Sequence, residues 1–300
     1  MTDRDRLSLF KIPEMPPVRV QGRERRNGRH ALQKLEFLNR FLPPALLATR
    51  SKVSRHYVDL FAGQGYFRDE EGRVHEGSAL RALSIGAEDS QSVAFTDATL
   101  VNLFPEHAQA LAENIEKLCA TRRCRVPQNR IELIQGDANE AVPRILARIH
   151  PRAYVFVFAD PENPGQLPWE TVKALRSQGH ESVDLYLLFP LDMAVIRMMA
   201  WDRVKLEPTA AALTRFYGTD EWRAVVERRV TDRDRERCRK ELEDLYMQGL
   251  RGLGWKHVSR AREVKRAGNH RLYQMLFATN HPVADNLAKW EGRESQLGFI

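Results

Sequence analysis

The chain has 300 residues, of which 43% are hydrophobic, enough for one large domain or two small ones with a sizeable core. No apolar run reaches the roughly 20 residues that a membrane-spanning helix needs, and the charged N-terminus lacks the apolar core of a signal peptide. The three cysteines form no CxxC pair, which excludes a CxxC zinc site and a disulfide framework. We therefore expect a cytoplasmic protein that does not bind membranes.

The formal net charge is +7 at pH 7, and residues 1–29 hold several arginines among prolines and glycines. A basic excess favours polyanionic partners such as nucleic acid, although arginine-rich chains are often basic without such a partner. The composition of residues 1–29 predicts a basic, extended N-terminal arm. This arm either contacts phosphate groups or is a solvated terminus.

Residues 30–42 place leucines and phenylalanines at helical spacing, and Pro43-Pro44 is expected to end that helix. The segment RHYVDLFAGQG that follows is a short apolar run stopped by glycines, which predicts a buried parallel strand and a tight turn. Next comes YFRDEEGRVHEGS, a polar stretch that predicts a hairpin or loop. Ser78 is expected to be the N-cap of the helix after it.

Apolar strand segments then alternate with helical ones up to about residue 190. The later strands are predicted at TLVNLF, RIELIQ, YVFVFA and VDLYLLF. This alternation predicts an α/β fold with a doubly wound, mostly parallel sheet covered on both faces. We divide the chain into the arm at 1–29, a Rossmann-like core at 30–194, a helical insertion at 195–255, and strands and a helix at 256–300 that complete the core.

The candidate site residues lie at or just past the carboxyl ends of predicted strands: Gly63 and Gly65 after the first, Asn102 near the end of the second, Asp137 after the third and Asp160 after the fourth. Because ligands of open α/β sheets bind at the carboxyl edge of the strands, this shared placement predicts a binding site there. The glycine loop lacks the third glycine of a dinucleotide motif. An oxidoreductase that uses a dinucleotide is therefore the weakest of the functions considered.

The chain resembles the three-Cys-motif partner (TcmP) proteins, a bacterial and phage family with a methyltransferase-like fold. The matching stretches are YVDLFAGQG, GSALRAL, NLFPEHAQAL, GDAN, FADPENPGQLPWETV, VDLYLLFPLDMAVIR, FYGTDEWR and LYQMLFATNHP. They occur in the family's order over most of the chain. The resemblance implies the Rossmann-like fold of methyltransferases that use S-adenosylmethionine (SAM). It also implies SAM as the cofactor and a three-Cys-motif protein, itself similar to radical-SAM enzymes, as a partner.

The resemblance also implies roles for individual residues. The glycine loop would contact the methionine part of SAM, and Asp137 the adenine ring. Asp160 would orient or deprotonate the methyl acceptor, or it would only cap the segment that follows. The cofactor-binding residues implied in this way are Asp59, Ala62, Gly63, Gly65, Asn102, Glu106, Asp137 and Ala138.

The chain departs from the family pattern at two positions. Asn102 stands where an acid usually accepts the ribose hydroxyls, although Glu106 one turn later is a substitute. Glu162 stands where base-modifying enzymes carry an aromatic that stacks on a flipped base, and the nearby Trp169 is expected to be a packing residue. Two hypotheses therefore remain. One is a SAM-dependent methyltransferase with an unknown acceptor, nucleic acid being the preferred class. The other is a degenerate methyltransferase fold that binds a three-Cys-motif protein.

Overall fold

The computed structural model describes residues 19–20, 23–24, 29–89, 91–190, 203–232, 234–266 and 270–294. The strands are β1 (Arg19–Val20), β2 (Arg23–Glu24), β3 (Arg55–Asp59), β4 (Tyr66–Arg68), β5 (Val74–Glu76), β6 (Asp97–Asn102), β7 (Ile131–Gln135), β8 (Tyr154–Ala159), β9 (Ser182–Phe189), β10 (His257–Arg266) and β11 (His270–Thr279). The helices are α1 (Arg29–Ala48), α2 (Ser78–Ser84), α3 (Pro105–Ala120), α4 (Ala138–Arg148), α5 (Trp169–Ser177), α6 (Arg203–Tyr217), α7 (Trp222–Asp232), α8 (Arg235–Gly252) and α9 (Pro282–Glu294).

Seven strands form the central sheet, in the order β10-β11-β9-β8-β3-β6-β7. The five strands from β3 to β9 in this sheet are parallel, whereas β11 runs antiparallel to both of its neighbours. Two short hairpins, β1–β2 and β4–β5, lie outside it. The predicted fold class, an α/β Rossmann-like fold with a doubly wound and mostly parallel sheet, is confirmed. Three helices, α6 to α8, precede its last two strands.

The central strand β8 shows why both faces of the sheet are covered. All six residues of its sequence YVFVFA are buried. Tyr154, Phe156 and Phe158 face one core, which contains α1, α2 and α3, while the small residues between them face a second core with α4, α5 and the α6–α8 helices. Aromatic side chains fill the first core: Phe37 of α1 stacks on Tyr186 of β9 with ring centroids 4.0 Å apart. Alternation along one strand thus builds two different cores.

The helix α1 continues past the point where the sequence predicts its end. Pro43 and Pro44 lie inside it, exposed to solvent, and the helix runs on to Ala48. Leu42 and Leu46 on either side of them are fully buried in the aromatic core. The prediction that the prolines end the helix is wrong, because burial of these leucines outweighs the backbone hydrogen bonds that proline removes.

Two local predictions also need correction. The second strand of the core, β6, begins at Asp97 and ends at Asn102, two residues earlier than predicted. Ser78 is the first helical residue of α2 rather than its cap, and Gly77 occupies the cap position. The arm at 1–29 lies outside the described residues except for β1, β2 and the start of α1, and the start of the helical insertion, up to residue 202, also lies outside them. None of the helices that the structure describes is long and apolar enough to cross a bilayer.

Candidate functional site

The carboxyl ends of β3, β6, β7 and β8 bring the predicted site residues to one edge of the sheet. Asp59, the last residue of β3, lies opposite Leu100 of β6 and Phe158 of β8. At the next strand pair, Asn102 lies opposite Gln135, just before Asp137. β3 stands between strands that are added in opposite directions, so the loop after it lies at a topological switch point, where ligands of such folds bind.

Two glycines of the loop after β3 adopt positive φ, but their surroundings differ. Gly63 has a φ of +59°, and a Cβ atom added there would meet nothing within 4 Å. Gly65 has a φ of +95°, and its added Cβ would lie 3.1 Å from Leu80 and from Leu111. Gly65 is therefore required by packing as well as by conformation. Gly63 presents an open backbone surface at the carboxyl edge.

The carbonyl groups of this loop are held by three neighbours. The Asn102 side chain donates a hydrogen bond to the Gly63 carbonyl. The Asn114 side chain of α3 donates to the Gln64 carbonyl at 2.8 Å, and the Gly77 amide donates to the Gly65 carbonyl at 2.6 Å. The backbone amide of Ala62 donates to Val101 of β6 at 3.0 Å. The loop is thus fixed in place by the protein's own groups.

Asp59 is fully buried and bonded to the protein itself. Its carboxylate accepts hydrogen bonds from the Ser78 hydroxyl at 2.6 Å, the Tyr57 hydroxyl at 2.9 Å and the Phe61 amide at 3.1 Å. Burial raises the pKa of Asp59 to about 6, although these three donors act in the opposite direction. The carboxylate therefore joins β3, the loop and the start of α2, and its implied role in cofactor binding stays a prediction.

Asn102 is also largely buried, and both ends of its amide are engaged. Its nitrogen donates to Gly63, and its oxygen accepts from the Phe104 amide at 3.4 Å. The predicted ribose contact of Asn102 is not tested, but the position clearly supports the glycine loop. Glu106, the predicted substitute, is exposed in the first turn of α3.

Two apolar side chains beside Asn102 were not singled out by the sequence. Leu103 is 55% exposed and Phe104 is 49% exposed. They follow β6 directly and lie at the carboxyl edge next to the glycine loop. In the sequence, these two residues are visible only as a large apolar pair at the end of a strand. Exposed apolar surface of this kind often marks a binding site.

Asp137 lies exposed at the start of α4, and Ala138 beside it is buried. The Asp137 carboxylate caps the helix by accepting from the Asn139 amide at 2.8 Å. The Asn139 side chain in turn donates to the Gln166 carbonyl at 3.2 Å and accepts from the Thr171 hydroxyl at 2.7 Å. Asn139 thereby joins the loop after β7 to the segment after β8.

Asp160 follows β8 and forms an ion pair with Lys34 of α1. Each side chain is 18% exposed, so the pair is half-buried at the carboxyl edge. The prediction that Asp160 handles the methyl acceptor is not tested, but its partner is a residue that the sequence did not indicate. Lys34 lies 126 residues away on the polar side of a helix, and nothing in the local sequence separates it from an ordinary solvated lysine.

The segment after Asp160 carries one aromatic residue, Trp169, which packs against helices rather than standing free. Glu162 is exposed, and its amide donates to the Gln166 side chain at 2.6 Å. Trp169 packs so closely on Gly218 and Gly249 that an added Cβ would lie 2.2 Å and 2.7 Å from its ring. Trp169 is therefore a packing residue, wedged against α6 and α8.

The hairpin β4–β5 follows the glycine loop directly. Asp69 at its turn is fully buried and accepts from the Arg73 amide and guanidinium at 2.8 Å each. Although burial opposes it, hydrogen bonds from His75 and Arg73 hold the pKa of Asp69 below its usual range. Arg123 at the end of α3 bonds to Glu76 at 2.9 Å and ties the hairpin to the core.

Comparison with solved structures returns methyltransferases at low similarity. A candidate methyltransferase, yhhF from Escherichia coli, is 22% identical with a TM-score of 0.34, covering 52% of this chain and 66% of its own length. A candidate O-methyltransferase from Klebsiella pneumoniae is 10% identical with a TM-score of 0.43, covering 84% and 89%. Trm1 from Pyrococcus horikoshii, solved with S-adenosyl-L-methionine, is 12% identical with a TM-score of 0.42, covering 89% and 57%. Neither the protein-family models nor the curated proteins include a match.

Proposed function

We propose that the chain is a SAM-dependent methyltransferase whose cofactor lies along the carboxyl edge of the sheet, over Gly63. The observation that carries this proposal is the open backbone at Gly63, in a loop whose carbonyls are otherwise held by Asn102, Asn114 and Gly77. A pre-formed glycine surface at a topological switch point lets a ligand approach the main chain closely.

The surroundings of Gly63 suit a cofactor with one flat ring and one charged end. The exposed Leu103 and Phe104 offer an apolar surface for a ring on the β6 side. On the β8 side, Asp160 and Lys34 provide charged groups. We assign the adenine to the first side and the methyl acceptor to the second.

The start of α2 argues against a cofactor with a pyrophosphate. In dinucleotide sites the pyrophosphate lies at the N-terminus of the helix that follows the glycine loop. Here that helix start is occupied by the protein's own acceptors, since Gly77 donates to the Gly65 carbonyl and Ser78 to the Asp59 carboxylate. SAM has no phosphate and does not need this position.

A methyltransferase needs an acceptor held in line with the methyl group and a place for the acceptor's proton. Asp160 is the carboxylate positioned for that purpose, because it follows the central strand and remains partly exposed. When bound there, SAM would supply the methyl group. Asp160 orients the acceptor or takes up its proton.

The second candidate function is a binding protein of the three-Cys-motif partner family with a degenerate cofactor site. It is favoured by the fact that Asp59, Asn102 and Asp160 are all bonded to groups of the chain itself. Such a protein would keep the fold and bind a three-Cys-motif protein without transferring a methyl group.

Calorimetric titration with S-adenosylhomocysteine, the reaction product, separates the two functions. We expect micromolar binding, a free energy of about −8 kcal/mol. Gly63→Arg should abolish it by filling the open surface. Gly179→Arg is the matched control, because Gly179 also has a positive φ and open space around an added Cβ, but lies at the opposite edge of the sheet.

Both variants carry the same backbone strain, about 1 kcal/mol, so their folding should be equally affected. Loss of binding in Gly63→Arg alone supports the cofactor site. Equal binding by both variants would move the site elsewhere. A wild-type protein that does not bind at millimolar ligand would favour the degenerate binding protein.

A further inference from the structure

Two of the three cysteines lie beside each other at the C-terminal end of α3. Cys119 is in the last turn of the helix, and Cys124 follows in the loop that leads to β7. Both thiols are free and half-buried, and both side chains pack against the same core, the one with α1 and α2. The two thiols are hydrogen-bonded to each other, and the Cys124 thiol also donates to the Val126 carbonyl at 3.2 Å.

The turn that ends α3 brings these two cysteines together. Arg122 has a φ of +57°, the left-handed conformation that reverses the chain after many helices. Its amide donates to the Cys119 carbonyl at 3.0 Å, and the Arg123 amide donates to the Leu118 carbonyl at 3.3 Å. These two bonds form a Schellman motif. Cys124 is the next residue, so backbone hydrogen bonds place it against the helix that carries Cys119.

Cys238, the third cysteine, belongs to the other core of the molecule. It is in α8 and 2% exposed, on the opposite face of the sheet from Cys119 and Cys124. The sheet therefore separates the Cys238 sulfur from the other two. Only Cys119 and Cys124 are placed to react with each other while the chain stays folded.

We propose that Cys119 and Cys124 form a reversible disulfide with each other, which makes the end of α3 a redox-sensitive site. A disulfide forms without strain only where the two side chains already face each other, and the contact between the reduced thiols meets that condition. In reducing compartments such disulfides are usually transient and serve as redox sensors. The inference goes beyond the proposed function and does not depend on methyl transfer.

The reaction needs an oxidant, and we take glutathione disulfide as the one that supplies the oxidising equivalents. The Cys119 thiolate attacks one sulfur of glutathione disulfide, which releases one glutathione and leaves a mixed disulfide. The Cys124 thiolate then attacks the Cys119 sulfur, which forms the bond between the two cysteines and releases the second glutathione. The two electrons and the two thiol protons of the cysteines thus pass to the two glutathione molecules.

The surroundings of Cys124 set the order of the two attacks. Burial and the hydrogen bond to Cys119 raise the pKa of the Cys124 thiol to about 12, so Cys119 attacks first. The mixed disulfide has no thiol at Cys119, which removes one cause of that raised pKa. Cys124 is therefore the thiol that completes the disulfide.

The disulfide would also fix a segment that contacts the hairpin β4–β5. Arg123 lies between the two cysteines and donates to Glu76 of β5 at 2.9 Å. If the last turn of α3 opens, Arg123 moves away from Glu76. A bond between Cys119 and Cys124 closes that turn covalently, so oxidation should hold the hairpin more firmly against α3.

The test equilibrates the folded chain in glutathione buffers of different ratios, alkylates the remaining thiols in denaturant and measures the mass of the chain. Oxidised wild type should carry a label at Cys238 alone, and dithiothreitol should restore labelling of all the cysteines. The equilibrium constant for oxidation should be at least about tenfold larger for the folded chain than for the chain in denaturing urea, because the fold holds the thiols in contact.

Three variants assign the disulfide. Cys119→Ala and Cys124→Ala should form none, and Cys124→Ala should accumulate a glutathione adduct at Cys119. Cys238→Ala is the matched control and should form the disulfide as wild type does. Glutathione adducts without a disulfide in wild type, a disulfide that includes Cys238, or equal oxidation constants with and without urea would overturn the proposal.

Hydrogen exchange of the oxidised and reduced chains measures the effect on α3. The amides of Arg122 and Arg123, which close the Schellman motif, should exchange about tenfold more slowly in the oxidised chain. Amides of α4, which is remote from the cysteines in sequence, should exchange at the same rate in both. Unchanged exchange at Arg122 and Arg123 in a fully oxidised chain would overturn the inference that oxidation fixes this end of α3.

Discussion

Asp59 and Asp184 are two buried aspartates of one sheet that have different structural roles. Burial raises the pKa of each to about 6. Asp184 lies near the amino edge and accepts from the Tyr154 hydroxyl at 3.0 Å, with Thr279 as a second donor, so it links neighbouring strands. Asp59 lies at the carboxyl edge and links a strand to a loop and a helix. Two carboxyls with similarly raised pKa values therefore have different roles. Asp184 joins strands of the sheet, and Asp59 holds the loop of the candidate site.

The largest effect should come from removing each carboxyl at pH 5, where both are mostly protonated. Asp59→Ala leaves two hydroxyls and one amide without an acceptor, and Asp184→Ala leaves two hydroxyls. At about 1–3 kcal/mol for each unsatisfied group, we expect losses of unfolding free energy of about 4 and 3 kcal/mol. Urea unfolding measures both.

The two variants should differ more clearly in ligand binding. Asp59→Ala should lose binding of S-adenosylhomocysteine, because the glycine loop loses its support. Asp184→Ala should bind it within about twofold of wild type, a difference below about 0.5 kcal/mol. Equal loss of binding in both would mean that Asp59 has no special relation to the loop.

The next effect is on the pH dependence of stability. A carboxyl whose pKa is raised from 3.8 to about 6 by folding contributes stability that is complete below pH 3.8 and is lost as the pH rises to about 6. The shift of about two units corresponds to about 3 kcal/mol for a buried group. Between pH 4 and pH 7, the unfolding free energy of Asp184→Asn should therefore fall by about 2 kcal/mol less than that of wild type.

Urea unfolding of Asp184→Asn and wild type at several pH values measures this difference. The amide introduced at position 184 should be tolerated because both partners of Asp184 are hydroxyls, which can accept as well as donate. Asp59→Asn should show the same change in pH dependence. If the unfolding free energies of both variants change with pH as that of wild type does, these carboxyls are not the cause of its pH dependence.

The smallest effect concerns a carboxylate added at the carboxyl edge. Asn102→Asp replaces the donor that holds the Gly63 carbonyl with a negative oxygen, so the loop should move. We expect product affinity to fall about tenfold, or about 1.4 kcal/mol. Asn129→Asp, an exposed amide at the amino edge, makes the same charge change and should have no effect. Tighter binding in Asn102→Asp would instead place this side chain on the ribose.

Several elements could be predicted because their causes are local. The strand β8 matches its predicted bounds, since an apolar run of six residues followed by Asp-Pro can form few structures other than a buried strand. The polar stretch after the glycine loop was predicted to be a hairpin or a loop, and it forms a hairpin. The final strands at 256–300 were predicted to complete the core, and they pair with the sheet. Pro43 and Pro44 misled the prediction because their effect on α1 depends on the core beneath it, which the local sequence does not show.

The candidate site was predicted only in part. Gly63, Asn102 and Asp160 do meet at one edge, as expected from the positions of the strands. Their bonding partners could not be predicted: Lys34 comes from a distant helix, and Ser78 was expected to cap a helix rather than to bond to Asp59.

The sequence by itself determined the order of strands and helices, the glycine turn and the edge at which the site lies, because periodicity and turn chemistry act over a few residues. Only the tertiary structure decided which polar groups are free for a ligand. Asp59 and Asn102 are committed to holding the loop, and Asp160 to Lys34, through contacts made by distant segments. A hydrogen bond depends on distance and burial, and folding alone brings such groups together out of water.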